Sequence, residues 1–188
     1  MNKTTALRKI SEEIERCKIC RRNKIGKAVP GEGNANANIV FIGEAPGRKE
    51  AETGRPFIGR SGKFLRLSIK NIGLEEEDVF ITSPVKYMPK YKTPKSEDIA
   101  HGRVHLRKQL EAINPKIIVL LGSVACKAAL GYPVLIKKEH GRTKKMNGKT
   151  YFIMYHPAAI IRFPKFKKSF FDDFEKLKKL IEKCALKQ

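Results

Sequence analysis

The sequence predicts an α/β fold: a single three-layer α/β/α domain around a central four-stranded parallel sheet. Two observations carry this. From residue 39 onward, apolar strand-like runs alternate with helix-like stretches, the order that places parallel strands between two layers of helices. The chain has 188 residues, enough to bury one core without staples. It shows no internal repeat, low-complexity tract or interdomain linker, so 1–188 reads as one domain.

Each element has its own justification. "TTALRKISEEIERC" sets Leu7, Ile10 and Ile14 at helical spacing, with Thr4 or Thr5 as cap. "RRNKIGKAVPGEGNANAN", rich in Gly and Asn, reads as a long loop. "NIVFIG" is the first strand. It empties into Gly43-Glu44-Ala45-Pro46-Gly47, then a charged loop and a second Gly/Pro cluster around Phe57. "SGKFLRLSIKNIG" is a helix ended by Gly73. "DVFITSPV" is the second strand, and "SEDIAHGRVHLRKQLEAIN" a helix capped by Ser96 and stopped at Asn114-Pro115. "KIIVLLG" is the third strand, turning routinely through Leu121-Gly122-Ser123 into the helix "SVACKAALG". "KTYFIMYHP" is the fourth strand, and "FKKSFFDDFEKLKKLIEKCALK" a closing amphipathic helix.

Charge is the unusual property of the composition. Forty Lys and Arg face nineteen Asp and Glu, a formal net charge of +21. Such an excess favours polyanions, since each neutralised phosphate releases condensed counterions. The bland alternative is a Lys-rich, thermophile-like surface. A membrane-surface role is disfavoured, because only the last helix combines an apolar face with a basic one. No apolar run nears the roughly 18 residues of a membrane span, and the first residues lack a signal peptide's apolar core. The expectation is a soluble, cytoplasmic, DNA-associated monomer.

Four cysteines are present: Cys17, Cys20, Cys126 and Cys184. A disulfide framework does not suit such a chain. Cys126 reads as a small buried thiol in an Ala-rich helix, and Cys184 as inert. Cys17 and Cys20 form "CKIC", which could ligate a metal or cluster or act as a redox pair. Taken alone, the two are an incomplete ligand set.

In open parallel sheets, sites form beyond the carboxyl ends of the strands. Three strand ends carry something uncommon: Gly43–Gly47, then Thr82-Ser83-Pro84, then His156-Pro157-Ala158-Ala159. Each is weak alone, and a lone strand-end histidine is more often structural. Their convergence on one sheet edge is what points to a site. "GEAPG" lacks the spacing of the phosphate-binding glycine loops.

Together "GEAPGRKEAETGRPFIGRSGKFL", "VFITSPVKYMP", "IIVLLGSVACKAALG" and "HPAAIIR" resemble the uracil-DNA glycosylase superfamily, with greatest similarity to its family 4, the iron–sulfur type. The resemblance runs in order from CKIC to the last helix. It implies a DNA glycosylase of base-excision repair, a hydrolase that removes uracil or a related deaminated base from DNA and leaves an abasic site. In that reading the base is flipped out of the helix into a pocket. The Gly43–Gly47 loop would form one wall, where Gly43 and Ala45 let backbone amides approach the base. Glu44 would orient water or stabilise an oxocarbenium-like sugar. Phe57 would be the stacking ring, worth roughly 1–3 kcal/mol; its Arg, Pro and Gly neighbours place it poorly for a core. His156 would face uracil O2 and stabilise the charge on the departing base. The loop from His156 to Arg162 would press on the DNA strand. "KMNGK" and "RFPKFKK" add positive charge without an assigned contact.

Two positions depart from the family. Ser83 stands where an Asn amide would read the uracil edge, and its hydroxyl offers one donor proton against two. The family's iron–sulfur cluster takes four cysteines. Cys17 and Cys20 match the first pair, but Tyr87 and Gly102 occupy the other two places, with His101 and His105 close by. Thiolates normally hold such clusters, so the preferred reading is a glycosylase that has lost its [4Fe-4S] cluster and needs no cofactor for its chemistry. A His-assisted two-Cys site would suit zinc. The alternative function is a weak relative that binds DNA or damaged bases without efficient excision.

Overall fold

Four strands are almost wholly apolar and buried on both faces, the mark of a parallel sheet covered from both sides. They are β3 (Ile39–Ile42), β4 (Val79–Thr82), β6 (Ile117–Leu121) and β8 (Lys149–Met154). The computed structural model describes residues 2–91 and 93–185. Ahead of the sheet come α1 (Lys3–Arg16), α2 (Lys18–Arg21) and the two-residue strands β1 (Lys24–Ile25) and β2 (Glu32–Gly33). Between β3 and β4 lie α3 (Arg48–Thr53) and α4 (Arg60–Asn71). β5 (Met88–Pro89) and α5 (Ser96–Ile113) lead to β6. Next are α6 (Gly122–Leu130), α7 (Ile136–Glu139) and β7 (Thr143–Met146), and after β8 follow α8 (Pro157–Arg162) and α9 (Lys167–Ala185).

The sheet order is β2-β4-β3-β6-β8-β7. β4, β3, β6 and β8 run parallel, with Ile39 opposite both Val79 and Ile117, and Ile117 opposite Thr150. β2 and β7 add antiparallel edges, so the expected four-stranded sheet is the centre of a six-stranded mixed one. β1 and β5 form a separate antiparallel pair.

Alternation along the strands divides the core between two helical layers. Ile39, Phe41, Val119 and Phe152 face Leu65, Phe170 and Phe174 on one side. Val40, Ile42, Ile118 and Leu120 face Leu106, Leu110 and the fully buried Cys126 on the other. Each such side chain, once buried, contributes about 1.5–3 kcal/mol. Cys184 is half-buried and packs against the first layer. Among the described residues no helix is long and apolar enough to cross a membrane.

Several local expectations are corrected. The long Gly/Asn loop contains β1 and β2, which form only because distant strands pair with them. The charged stretch after Pro46 is the helix α3, closed by Gly54 at φ 83°. α1 is capped by Asn2, whose side chain accepts the Thr4 amide at 3.0 Å, in place of Thr4 or Thr5. Ser96 is the first helical residue of α5 rather than its cap; Lys95 holds that place, its amide bonded to the Asp98 carboxylate at 2.8 Å. Asn114 ends α5 at φ 53°, as the Asn-Pro pair implies. "KMNGK" is a hairpin, Asn147 and Gly148 both turning at positive φ. Residues 186–187 of the closing helix lie outside the described residues.

Candidate active site

The carboxyl ends of β3, β4 and β8 meet at one edge of the sheet. There they line a cleft of about 250 Å³ with Glu44, Ala45, Pro46, Gly47, Phe57, Ser83 and His156, a concave space with a few convergent polar groups.

His156 lies two residues past the end of β8 and caps α8, with Pro157 at the first helical position. Its Nδ1 accepts the Ala158 amide at 3.2 Å, so the ring's proton sits on Nε2. Burial pulls the imidazole down to about 4, which keeps it neutral and makes Nε2–H a donor. Gly43 lies under this nitrogen. A Cβ there would come within 3.6 Å of it and would overlap the Phe57 ring. The Gly43 amide donates to the Thr82 carbonyl at 2.9 Å, so Gly43 contributes space, and its own N–H is already engaged. The third strand end is not a routine turn. Gly122 sits at φ 86°, and a Cβ there would be 3.1 Å from the His156 Cβ.

Phe57 reverses one expectation and keeps another. It is 9% exposed and joins the core layer formed with Leu65 and Phe170, although its neighbours argued against burial. Its ring also lines the cleft, 5.8 Å from the His156 ring. Its backbone holds φ 53°, a conformation costly for a bulky residue and concentrated at functional sites. Arg66 fixes it by donating to the carbonyls of Phe57 (2.9 Å) and Pro56 (2.8 Å). Arg66 in turn pairs with Glu32 and Glu76.

Sequence reading missed Glu50, which is 8% exposed. Its Oε1 accepts the amides of Ile58 (2.8 Å) and Gly59 (2.7 Å), and its Oε2 that of Gly47 (3.1 Å). One carboxylate thereby joins the Gly43–Gly47 loop to the Phe57 loop. No sequence signal marks it beyond an acidic residue in a first helical turn.

Glu44 is half-buried in the cleft, and burial raises its carboxyl above the usual range. Ser83 lines the same cleft but donates its hydroxyl proton to the Val85 carbonyl at 2.9 Å. Only lone pairs remain for a ligand. Residues 157–162 form α8, a helix and not the loop expected there.

The CKIC cysteines lie apart from the cleft. Cys17 and Cys20 meet His101 and His105 of α5, the four donor atoms all within 4.8 Å of one another, a group that could hold a metal ion. As a free thiol Cys20 is pushed up to about 12 by burial, with Cys17 beside it, so without a metal Cys20 is a poor thiolate nucleophile. An iron–sulfur cluster does not fit. Tyr87 fills its place with a buried ring packed on Ile10, Ile14 and Cys20, its hydroxyl donating to the Glu15 carbonyl at 3.2 Å. At Gly102 a Cβ would overlap the Pro84 carbonyl oxygen, so no side chain can stand there.

Comparison with known proteins agrees with this architecture. The family model for the Uracil DNA glycosylase superfamily matches residues 30–178. A type-4 uracil-DNA glycosylase of Sulfurisphaera tokodaii is 39% identical over 189 residues, covering 93% of this chain and 84% of that protein. Proteins of the same description from Archaeoglobus fulgidus and Thermotoga maritima are 37% and 36% identical, covering 95% and 93% of this chain and 94% of each of theirs. With a matched span that takes in the three strand ends around the cleft, the chain belongs to the uracil-DNA glycosylase superfamily.

Proposed function

We propose that the chain excises uracil from DNA by hydrolysing its N-glycosidic bond and leaves an abasic site. His156 carries the reading. It is a neutral imidazole at a strand end, its Nδ1 engaged by the Ala158 amide and its Nε2–H beside Gly43 at the cleft.

The flipped base enters the cleft that residues 44–47 line together with the Phe57 ring. As the C1′–N1 bond breaks, its electron pair moves onto the uracil ring, and His156 Nε2–H donates to O2 where charge collects. Glu44 faces the sugar. Its carboxylate offsets the positive charge developing there and orients the water whose oxygen bonds to C1′, while that water's proton passes to Glu44 or to solvent. Phe57 stacks on the base, Gly43 makes room for the Phe57 ring, Ala45 leaves space for the base, and Ser83 accepts from uracil N3–H. No step draws on a cofactor. Residues 1–188 act as a single intracellular domain and as a monomer on DNA, with the +21 charge favouring the phosphate backbone.

Ser83 favours a second reading, a relative that binds uracil-DNA and excises slowly, because its hydroxyl proton is already engaged by Val85. One assay separates the two. The protein is incubated with a fluorescent single-stranded oligonucleotide holding one central dU, and alkali then cleaves any abasic site. Stoichiometric binding with no cleavage beyond a protein-free control would overturn the enzyme reading. For the active enzyme, His156→Ala should slow excision about a hundredfold while barely changing DNA affinity. A near-normal rate would remove the role given to His156.

A further inference from the structure

We propose that Cys17, Cys20, His101 and His105 hold one tetrahedral zinc ion that pins α1 and α2 to α5. The inference stands independently of the glycosylase reading, since the four residues lie outside the cleft.

Two remote segments build the group. Cys17 ends α1 and caps α2, and Cys20 follows in the same short helix. His101 and His105 are one turn apart on α5, so both imidazoles project from one face. Their ring centroids lie 5.5 Å apart at 83°. Cys17 Sγ is 3.2 Å from His101 Nε2, and the Cys20 amide donates to that sulfur at 3.4 Å, as it would to a metal-bound thiolate. Zinc bonds of about 2.3 Å to sulfur and about 2.0–2.1 Å to nitrogen put tetrahedral donors roughly 3.5 Å apart. The donors here lie within 4.8 Å of one another, and small side-chain rotations close the difference.

His105 supplies the independent observation. It is 6% exposed, yet neither ring nitrogen has a hydrogen-bond partner. An unsatisfied polar group in the interior is costly, and coordination gives one of these nitrogens its partner. Charge agrees, because two thiolates cancel Zn²⁺ and two neutral imidazoles add nothing, which leaves a neutral buried centre. Thiolate and imidazole donors select zinc over magnesium or calcium. Four protein ligands leave no open position, so the ion is structural rather than catalytic.

The test uses the full chain purified from zinc-supplemented culture. Elemental analysis should find about one zinc per chain without stoichiometric iron or sulfide. Metal-free protein refilled with Co²⁺ should show the intense visible bands of tetrahedral cobalt together with thiolate-to-cobalt charge transfer. His101→Ala and Cys17→Ala should each lose the bound zinc, whereas Cys126→Ala should retain it. If a variant fails to fold, the cobalt spectrum of the unaltered chain still decides. Iron and sulfide at about four each per chain, no zinc after saturation, or the weak bands of octahedral cobalt would each overturn the proposal. Excision is scored separately on the same preparations. Failure to take up zinc on saturation, in protein that excises normally, would sink this inference and leave the glycosylase reading standing; stoichiometric zinc in protein that does not excise would do the reverse.

Discussion

At His156 two protonation questions have opposite answers on either side of the cleft. Nδ1 accepts the Ala158 amide and burial lowers the imidazole to about 4. Its folded pKa therefore lies below its unfolded one, and the folded state binds fewer protons between them. Stability tied to this residue is present above about 6.5 and falls as pH drops towards about 4. Activity should show no step near 6.5, the region where an ordinary histidine titrates. Glu44 is shifted the other way, raised by burial, so the rate should climb with pH through a value above the usual carboxylate range. Single-turnover rates from acid to neutral pH measure both, and an inflection near 6.5 that vanishes in His156→Ala would show the imidazole titrating normally. Ser83 gives a second prediction. With its proton held by Val85, it offers uracil an acceptor but no donor for O4, whereas Ser83→Asn supplies both. That substitution should raise kcat/KM on uracil-DNA about tenfold or more. An unchanged or lower value would show that this position does not read the base.

Among the elements, the pair of loops joined by Glu50 governs the cleft. The three amides on that carboxylate belong to two segments with no other regular hydrogen bonding between them. Glu50→Gln turns a donor towards the Gly47 amide. It should cost about 2 kcal/mol of stability by denaturant unfolding and weaken substrate capture as the Phe57 loop drifts. A loss below about 0.5 kcal/mol would show that the loops hold without it. The long elements were legible in the sequence because burial on both faces writes itself into composition. "IVFI", "VFIT" and "IIVLL" leave little choice. β1, β2 and β5 were not, since two-residue strands exist only through their partners. Nor was α3, six residues of charged chain held by Gly54 and by Glu50. At the site, the three strand ends could be read because α/β topology places them together. Phe57 misled because Gly and Pro neighbours suggest exposure, whereas here they let the backbone turn at φ 53° and send the ring inward. The four members of the metal group could be named from the sequence, but not their meeting in space. Cys17 and His101 stand 84 residues apart, and only the packing of α2 on α5 brings them into reach.

For the whole molecule, charge and metal set separate terms. Arg60 and Lys63 open α4 beside the cleft, Arg162 ends α8 and Lys165 lies just beyond it. All four are exposed and free of ion pairs among the described residues. With a net +21 behind them, DNA affinity should fall at least about tenfold between ~50 and ~200 mM salt. A flat dependence in fluorescence anisotropy would show that the basic surface does not carry the contact. The close approach of α5 to Pro84 at Gly102 has a consequence for descent. A set of four thiolates cannot be built here one substitution at a time. A cysteine at 102 forces α5 away from Pro84 while Tyr87 still fills the neighbouring space, and a cysteine at 87 first hollows out the packing around Ile10 and Ile14. Either substitution alone should therefore lower the melting temperature of this chain, so the two positions are coupled through the packing of α5. Relatives that share Tyr87 should share Gly102, and the two should change hands as a pair.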